Sequence, residues 1–258
     1  MAKAEFELPV TLVEHYTESY FRFRLQRPAS FRFTSGQFVM VGLEVDGAPV
    51  LRAYSISSAH WDEELEFYSI IVPDGKLTSR LKDIKEGDSV LMSAKPVGTL
   101  TVPSLHPGGR RLFMLSTGTG IAPFGSIIRD ELPYERYEEI YLTQTCRFAA
   151  DLQYGERIAK GALECPLVGE MAQAKFNLYS SVTREPYKHE GRITTLIESG
   201  KFFEHLDIPP FDPESDRVMI CGSMDMLRDT RVVLDGCGFS SGAGHSEAGY
   251  VWEKAFTG

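Results

Sequence analysis

Short runs of Val, Phe, Tyr and Ile recur through the first part of the chain, at 6–13, 20–25, 37–43, 51–56, 65–72 and 89–94. Turn residues punctuate them: Gly36, Asp46-Gly47, Asp74-Gly75 and Glu86-Gly87-Asp88. Several short strands separated by turn signals predict a sandwich or barrel, and we read them as a small antiparallel β-barrel. Leu77, Leu81 and Ile84 recur at helical spacing behind Thr78 and Ser79, which predicts one helix over about 78–84, capped by a Thr or Ser.

The period changes after the stretch at 102–109, which is the richest in Pro and Gly and marks a domain boundary between residues 102 and 103. Beyond it, apolar runs at 111–116, 140–145, 176–182, 217–221 and 250–252 alternate with helical patterns at 122–130, 150–160, 193–199 and 224–234. Such alternation predicts an α/β domain with a parallel sheet covered by helices, whose ligands sit beyond the carboxyl ends of the strands. The expected fold therefore has two domains, an antiparallel β-barrel over 1–102 followed by an α/β parallel-sheet domain over 103–258.

A chain of 258 residues is long enough for two such cores. Its formal net charge of −9 disfavours nucleic acid as the main partner, although a few arginines in one pocket can still hold a phosphate. No apolar run approaches the roughly 20 residues that span a bilayer. No basic segment followed by an apolar one opens the chain, so the cytoplasm is the expected location. Cys146, Cys165, Cys221 and Cys237 form no Cys-x-x-Cys pair, so neither a zinc site nor an iron–sulfur cluster is expected and any electron carrier must be organic.

The clearest local signal is Thr117-Gly118-Thr119-Gly120-Ile121-Ala122-Pro123-Phe124, directly after an apolar strand. Gly118 and Gly120 would let backbone approach a ligand, and Pro123 suits the first turn of a helix whose free amides could face a pyrophosphate. The same residues would also serve a plain strand-to-helix turn. An ordinary NAD site would want an acid at the end of the next strand, but that strand ends at Thr145-Cys146-Arg147. Arg184 and Arg192 flank later elements, and arginine suits the 2′-phosphate of NADP, although arginines at strand ends are commonly solvated. In the first half, Arg52 and Tyr54 share one face of a strand, a charge and an aromatic plane that would suit a phosphate and a flat ring or would be an ordinary surface pair.

In this order, Arg52-Ala53-Tyr54-Ser55, Leu77-Thr78-Ser79, Gly118-Thr119-Gly120-Ile121-Ala122-Pro123, Cys221-Gly222-Ser223 and the closing Trp252-Glu253-Lys254-Ala255-Phe256 resemble the ferredoxin–NADP reductase family, most closely its bacterial branch. The resemblance implies an FAD-dependent oxidoreductase with FAD on the first domain and NADP(H) on the second, exchanging hydride with NADP(H) and single electrons with ferredoxin or flavodoxin. It implies that Arg52 binds the FAD pyrophosphate, that Tyr54 stacks on the flavin next to Ala53, and that Ser55 lies near flavin N5. Thr78 and Ser79 would add phosphate contacts. Gly118, Thr119 and Gly120 would face the NADP pyrophosphate and nicotinamide, and Arg184 and Arg192 would grip the 2′-phosphate. Cys221 would stand beside the nicotinamide, Glu253 would tune charge or proton traffic, Ala255 would face the flavin and Phe256 the adenine.

A monomer is the expected state. An acidic ferredoxin would need a local basic patch, for which Lys76, Arg80, Lys82 and Lys85 are candidates. Alternative readings are a related NAD(P)H reductase serving an oxygenase or free flavin, and a non-catalytic electron-transfer subunit.

Overall fold

Alternation along single strands builds the first core. Phe21, Phe23 and Leu25 recur at every second position and are fully buried, each contributing about 2 kcal/mol of burial free energy. The computed structural model describes residues 4–242 and 248–255, so Phe256 lies outside the described residues. Six antiparallel strands come first: β1 (Phe6–His15), β2 (Tyr20–Gln26), β3 (Phe38–Val45), β4 (Ala48–Ser55), β5 (Glu64–Ile70) and β6 (Ser89–Met92). They pair in the order β4-β3-β6-β1-β2-β5. β1 serves two neighbours: its start pairs with β6, and its later part pairs with β2, with a register shift between Val10 and Leu12. Such an irregularity bends a strand and helps a sheet to curl.

The edge strands β4 and β5 share no ladder. They meet through side chains, with the Tyr54 hydroxyl 3.0 Å from Ser69 Oγ and the Tyr54 ring edge-on to Phe67. The expected barrel is thus a curled antiparallel sheet without a closing ladder. Its helix α1 is only Thr78–Leu81, shorter than the predicted one, and Leu77 rather than a Thr or Ser occupies the capping position.

The second half carries five parallel strands, β7 (Arg111–Thr117), β8 (Glu139–Cys146), β9 (Phe176–Val182), β10 (Asp216–Gly222) and β11 (Tyr250–Lys254), in the order β11-β10-β7-β8-β9. Helices cover them: α2 (Ala122–Ile127), α3 (Glu131–Arg136), α4 (Gln153–Leu163), α5 (Gly169–Lys175), α6 (Ile193–Glu198), α7 (Lys201–Leu206) and α8 (Met224–Gly236). With helices on both faces, β10 is buried at every position, the expected state of a central parallel strand. The sequence pattern did not reveal α3, α5 or α7. Each spans less than two turns and buries only two residues, too few to show a period, whereas α6, which is no longer, buries four.

The two halves meet along a polar and aromatic seam. Tyr68 of β5 and Tyr154 of α4 stack with ring centres 3.8 Å apart and planes 4° from parallel. The Tyr154 hydroxyl lies 2.5 Å from Ser57 Oγ and 2.9 Å from Glu66 Oε1. Glu66 also receives Arg22 at 2.5 Å, Arg24 at 2.8 Å and, from the second half, Arg157. Farther along, Arg129 donates to both oxygens of Asp62, at 2.6 and 2.9 Å, with its guanidinium over the Trp61 ring. No helix among the described residues is long and apolar enough to cross a membrane.

Candidate functional site

Parallel register brings the carboxyl ends of the second sheet level. Thr117 pairs with Thr145, Cys146 with Val182, and Cys221 with both Ser116 and Glu253. A cleft of about 450 Å³ opens beyond these ends, where an open α/β sheet binds its ligands. Tyr20 and Ile70, cross-strand partners at one end of β2 and β5, form its wall from the first half.

The turn after β7 gives the cleft its floor. Residues Gly118–Ile121 form a single 3-10 turn that runs into α2, with Pro123 in that helix's first turn. Gly118 sits at φ +53°, in the left-handed region that favours glycine, and lines the cleft with Thr119. Gly120 has a different reason to be glycine. A Cβ there would collide with the Cys221 carbonyl, so its small size lets the turn press against β10 rather than admit a ligand.

Arg147, Arg184 and Arg192 all line the cleft and are exposed. The Arg184 N–H donates to the Arg147 carbonyl at 3.0 Å, joining the ends of β8 and β9. Gly191 N–H donates to Val182 O at 2.8 Å and Val182 N–H to His189 O at 3.1 Å, so the chain folds back and returns Arg192 to the cleft. Arg147, which the sequence reading left at a strand end, occupies the position where an NAD site would carry an acid. Asp225 and Asp229 of α8 also line the cleft.

Of the barrel residues, Arg52 is half-buried and donates from Nη1 to the Leu51 carbonyl at 2.9 Å, leaving its other donors for an anion. Ala53 is buried and Ser55 half-buried beside it. Tyr54 is only 8% exposed; Phe23 and Phe67 meet its ring edge-on, and the bond to Ser69 fixes its hydroxyl. It is a fixed, largely buried ring rather than a projecting side chain. Thr78 Oγ1 donates to Val72 O and accepts from Val72 N–H, while Ser79 Oγ donates to Gly75 O at 2.6 Å. Both hydroxyl protons close the 72–79 loop and the Ser79 N–H donates to Gly75 O at 3.3 Å, so phosphate contact from these two residues would fall to the Thr78 N–H. Lys76, Arg80, Lys82 and Lys85 are interspersed with Asp74, Asp83, Glu86 and Asp88, so this stretch has no net positive charge.

Cys221 is 1% exposed and does not line the cleft. Burial, and then the charge of Glu253, push its thiol well above the ordinary range and keep it neutral. Burial also pushes the Glu253 carboxyl up to about 8, and its Oε1 is buried with no hydrogen-bond partner among the described residues. Ala255 follows directly after the end of β11, donates its N–H to Gly222 O at 2.9 Å and reaches the cleft.

Because the folded-state value of Glu253 lies above the unfolded one, its proton stabilises the fold at low pH and that contribution is lost as pH rises toward about 8. Glu253→Gln should therefore flatten the pH dependence of unfolding between pH ~5 and ~8 and raise stability at the upper end by about 1–2 kcal/mol. Urea titrations of the two proteins at both ends of that range check this.

The site fits the two cofactors on its own chemistry. The cleft offers a left-handed glycine turn and three arginines to a phosphorylated dinucleotide. The barrel side offers spare Arg52 donors and a fixed aromatic ring to a flavin nucleotide, and β11 of the second half adds the Glu253 carboxyl oxygen that has no partner among the described residues. Residues 10–101 match the Oxidoreductase FAD-binding domain family and residues 114–232 the Oxidoreductase NAD-binding domain family. The chain is 50% identical to a flavodoxin/ferredoxin–NADP reductase of Rhodobacter capsulatus over 96% of this chain and 92% of that one. It is 48% identical to a ferredoxin–NADP reductase of Pseudomonas aeruginosa over 96% of each. A crystal structure of a ferredoxin NADP+ reductase from Neisseria gonorrhoeae with bound FAD and NADP superposes with a TM-score of 0.87 at 28% identity, covering 97% of this chain and 98% of that one. With both cofactor-domain families matched and relatives of 48–50% identity aligned over nearly their whole length, the chain belongs to the ferredoxin–NADP reductase family.

Proposed function

We propose that this oxidoreductase binds FAD and NADP(H) and links the nicotinamide pool to ferredoxin or flavodoxin. FAD, when bound, supplies the chemistry, since it can exchange hydride with the nicotinamide and single electrons with a protein partner. The protein holds the two nucleotides, excludes water and sets their charge environment. The observation that carries the choice of NADP is the convergence of Arg147, Arg184 and Arg192 on one cleft, with Arg147 where an acid would select NAD.

Arg184 and Arg192 would hold the 2′-phosphate, and Gly118, Thr119 and Gly120 would shape the pyrophosphate site. Arg52 would hold the FAD pyrophosphate, with Ala53, Tyr54 and Ser55 along the flavin, the Thr78 N–H adding a phosphate contact and Ser79 holding the loop that presents it. Neutral Cys221 acts by its bulk and low polarity. Glu253, protonated near neutral pH, can hold a proton in a buried position. Ala255 would face the flavin ring and Phe256 the adenine. The boundary between cofactor domains falls between residues 102 and 103. The protein works as a cytoplasmic monomer.

Anaerobic addition of NADPH to the FAD-loaded protein should bleach the flavin absorbance much faster than NADH does. Equal rates with both would remove the 2′-phosphate assignment, and no bleaching would remove the oxidoreductase reading.

A further inference from the structure

Tyr20 and Ile70 are the first-half side chains on the cleft, and of the two only Tyr20 carries a hydrogen-bonding group. Tyr20 is 9% exposed, and its hydroxyl, which opens on the cleft, makes no hydrogen bond among the described residues. It stands over the glycine turn: a Cβ on Gly118 would come within 3.4 Å of that hydroxyl, and Gly118 at φ +53° has none. Burial is the main force that pushes the Tyr20 hydroxyl far above the ordinary tyrosine range, so it remains a neutral donor. Its ring is held from behind by Tyr68, with centres 5.6 Å apart and planes 16° from parallel. Tyr68 in turn stacks on Tyr154, so the column runs from the cleft into the domain seam. A fixed ring, a neutral donor with no protein acceptor and a glycine turn beneath it together define a place for an anionic oxygen.

We propose that Tyr20 is a dinucleotide-binding residue contributed by the flavin domain, its hydroxyl donating a hydrogen bond to the pyrophosphate of NADP(H) held over the Gly118 turn. This rests on the reading of the cleft as the NADP site and adds to it a contact from the other domain. Nucleotide binding then depends on how the two domains are set against each other, because the Tyr20 ring takes its position from the Tyr68 and Tyr154 stack.

Calorimetric titration of the FAD-loaded wild type and Tyr20→Phe protein tests it with two ligands, NADP+ and adenosine 2′,5′-bisphosphate, the second of which lacks the pyrophosphate. Phenylalanine keeps the stack, and an unchanged flavin spectrum would report an intact fold. The expected result is an NADP+ dissociation constant raised about tenfold in the variant, with bisphosphate affinity changed by less than about twofold. Wild-type affinity of the variant for NADP+, or equal weakening of both ligands, overturns the proposal. Failure of the wild type to bind either ligand overturns the NADP reading itself, and the proposal with it.

Discussion

Glu66→Gln lowers the free energy of unfolding by about 3 kcal/mol, the scale on which removing one member of a buried ion pair strands its partners. Glu66 is the meeting point of Arg22, Arg24 and Arg157, and its own side chain is 5% exposed. Burial alone would push its carboxyl up, but attraction to Arg157, Arg22 and Arg24 outweighs that and holds it below the usual carboxylate range. Glutamine keeps the shape and removes the charge. Three guanidinium groups then lose their common counter-ion, with Arg22 keeping Glu14 at 2.6 Å and Arg24 keeping Glu64 at 3.1 Å, so that Arg157 bears most of the loss. Arg24 and Arg157 retain about a third of their side-chain exposure, which lets water take part of the load and places the effect at the lower end of the buried-pair range. The sign with pH follows from the depressed value: the stabilisation is present above the unfolded carboxylate pKa and is lost as pH falls through the lower folded one. Urea midpoints at neutral and acidic pH measure both effects, and the variant should lose part of the wild type's acid sensitivity. An unchanged midpoint at neutral pH would mean that the three arginines are solvated independently of Glu66.

That seam was not legible in the sequence. Glu66 and Arg157 lie 91 positions apart, and Tyr154 and Ser57 lie 97 apart, so no local period connects them. What was legible followed from repetition: alternate burial in β2, unbroken apolar runs in β7 and β10, and the strand-to-helix turn after Thr117. The chemical sites were reached through ordered motifs, which place residues in a family pattern without saying how each is held. Thr78 and Ser79 show the difference, since their hydroxyls close a loop. Gly120 does too, because its need for glycine comes from a carbonyl on β10, about a hundred residues later in the chain. Arg147 did carry one signal in the sequence, a cation at the carboxyl end of the second parallel strand in place of an acid, but nothing local placed it beside Arg184 and Arg192. Tyr20 had no such signal, because its place at the cleft depends on how a strand of one domain meets a turn of the other.

Arg184→Ala should reduce kcat/KM for NADPH by roughly 30- to 100-fold while leaving that for NADH within about twofold, the cost of one charge-assisted contact that only the 2′-phosphate can make. Arg184 is exposed, and its backbone N–H is bonded to the Arg147 carbonyl. The substitution keeps that backbone bond, so the loop that returns Arg192 to the cleft should hold. Loss should appear mainly in KM, because the 2′-phosphate is remote from the reacting ring and its contact is the same in the ground and transition states. Combining Arg184→Ala with Arg192→Ala should bring NADPH close to NADH, with Arg147 retaining a remnant of the preference. Stopped-flow reduction of the flavin with each nucleotide separates the outcomes. Equal losses for NADPH and NADH would mean that Arg184 shapes the cleft as a whole, and the choice between the two nucleotides would then rest with Arg147 and Arg192.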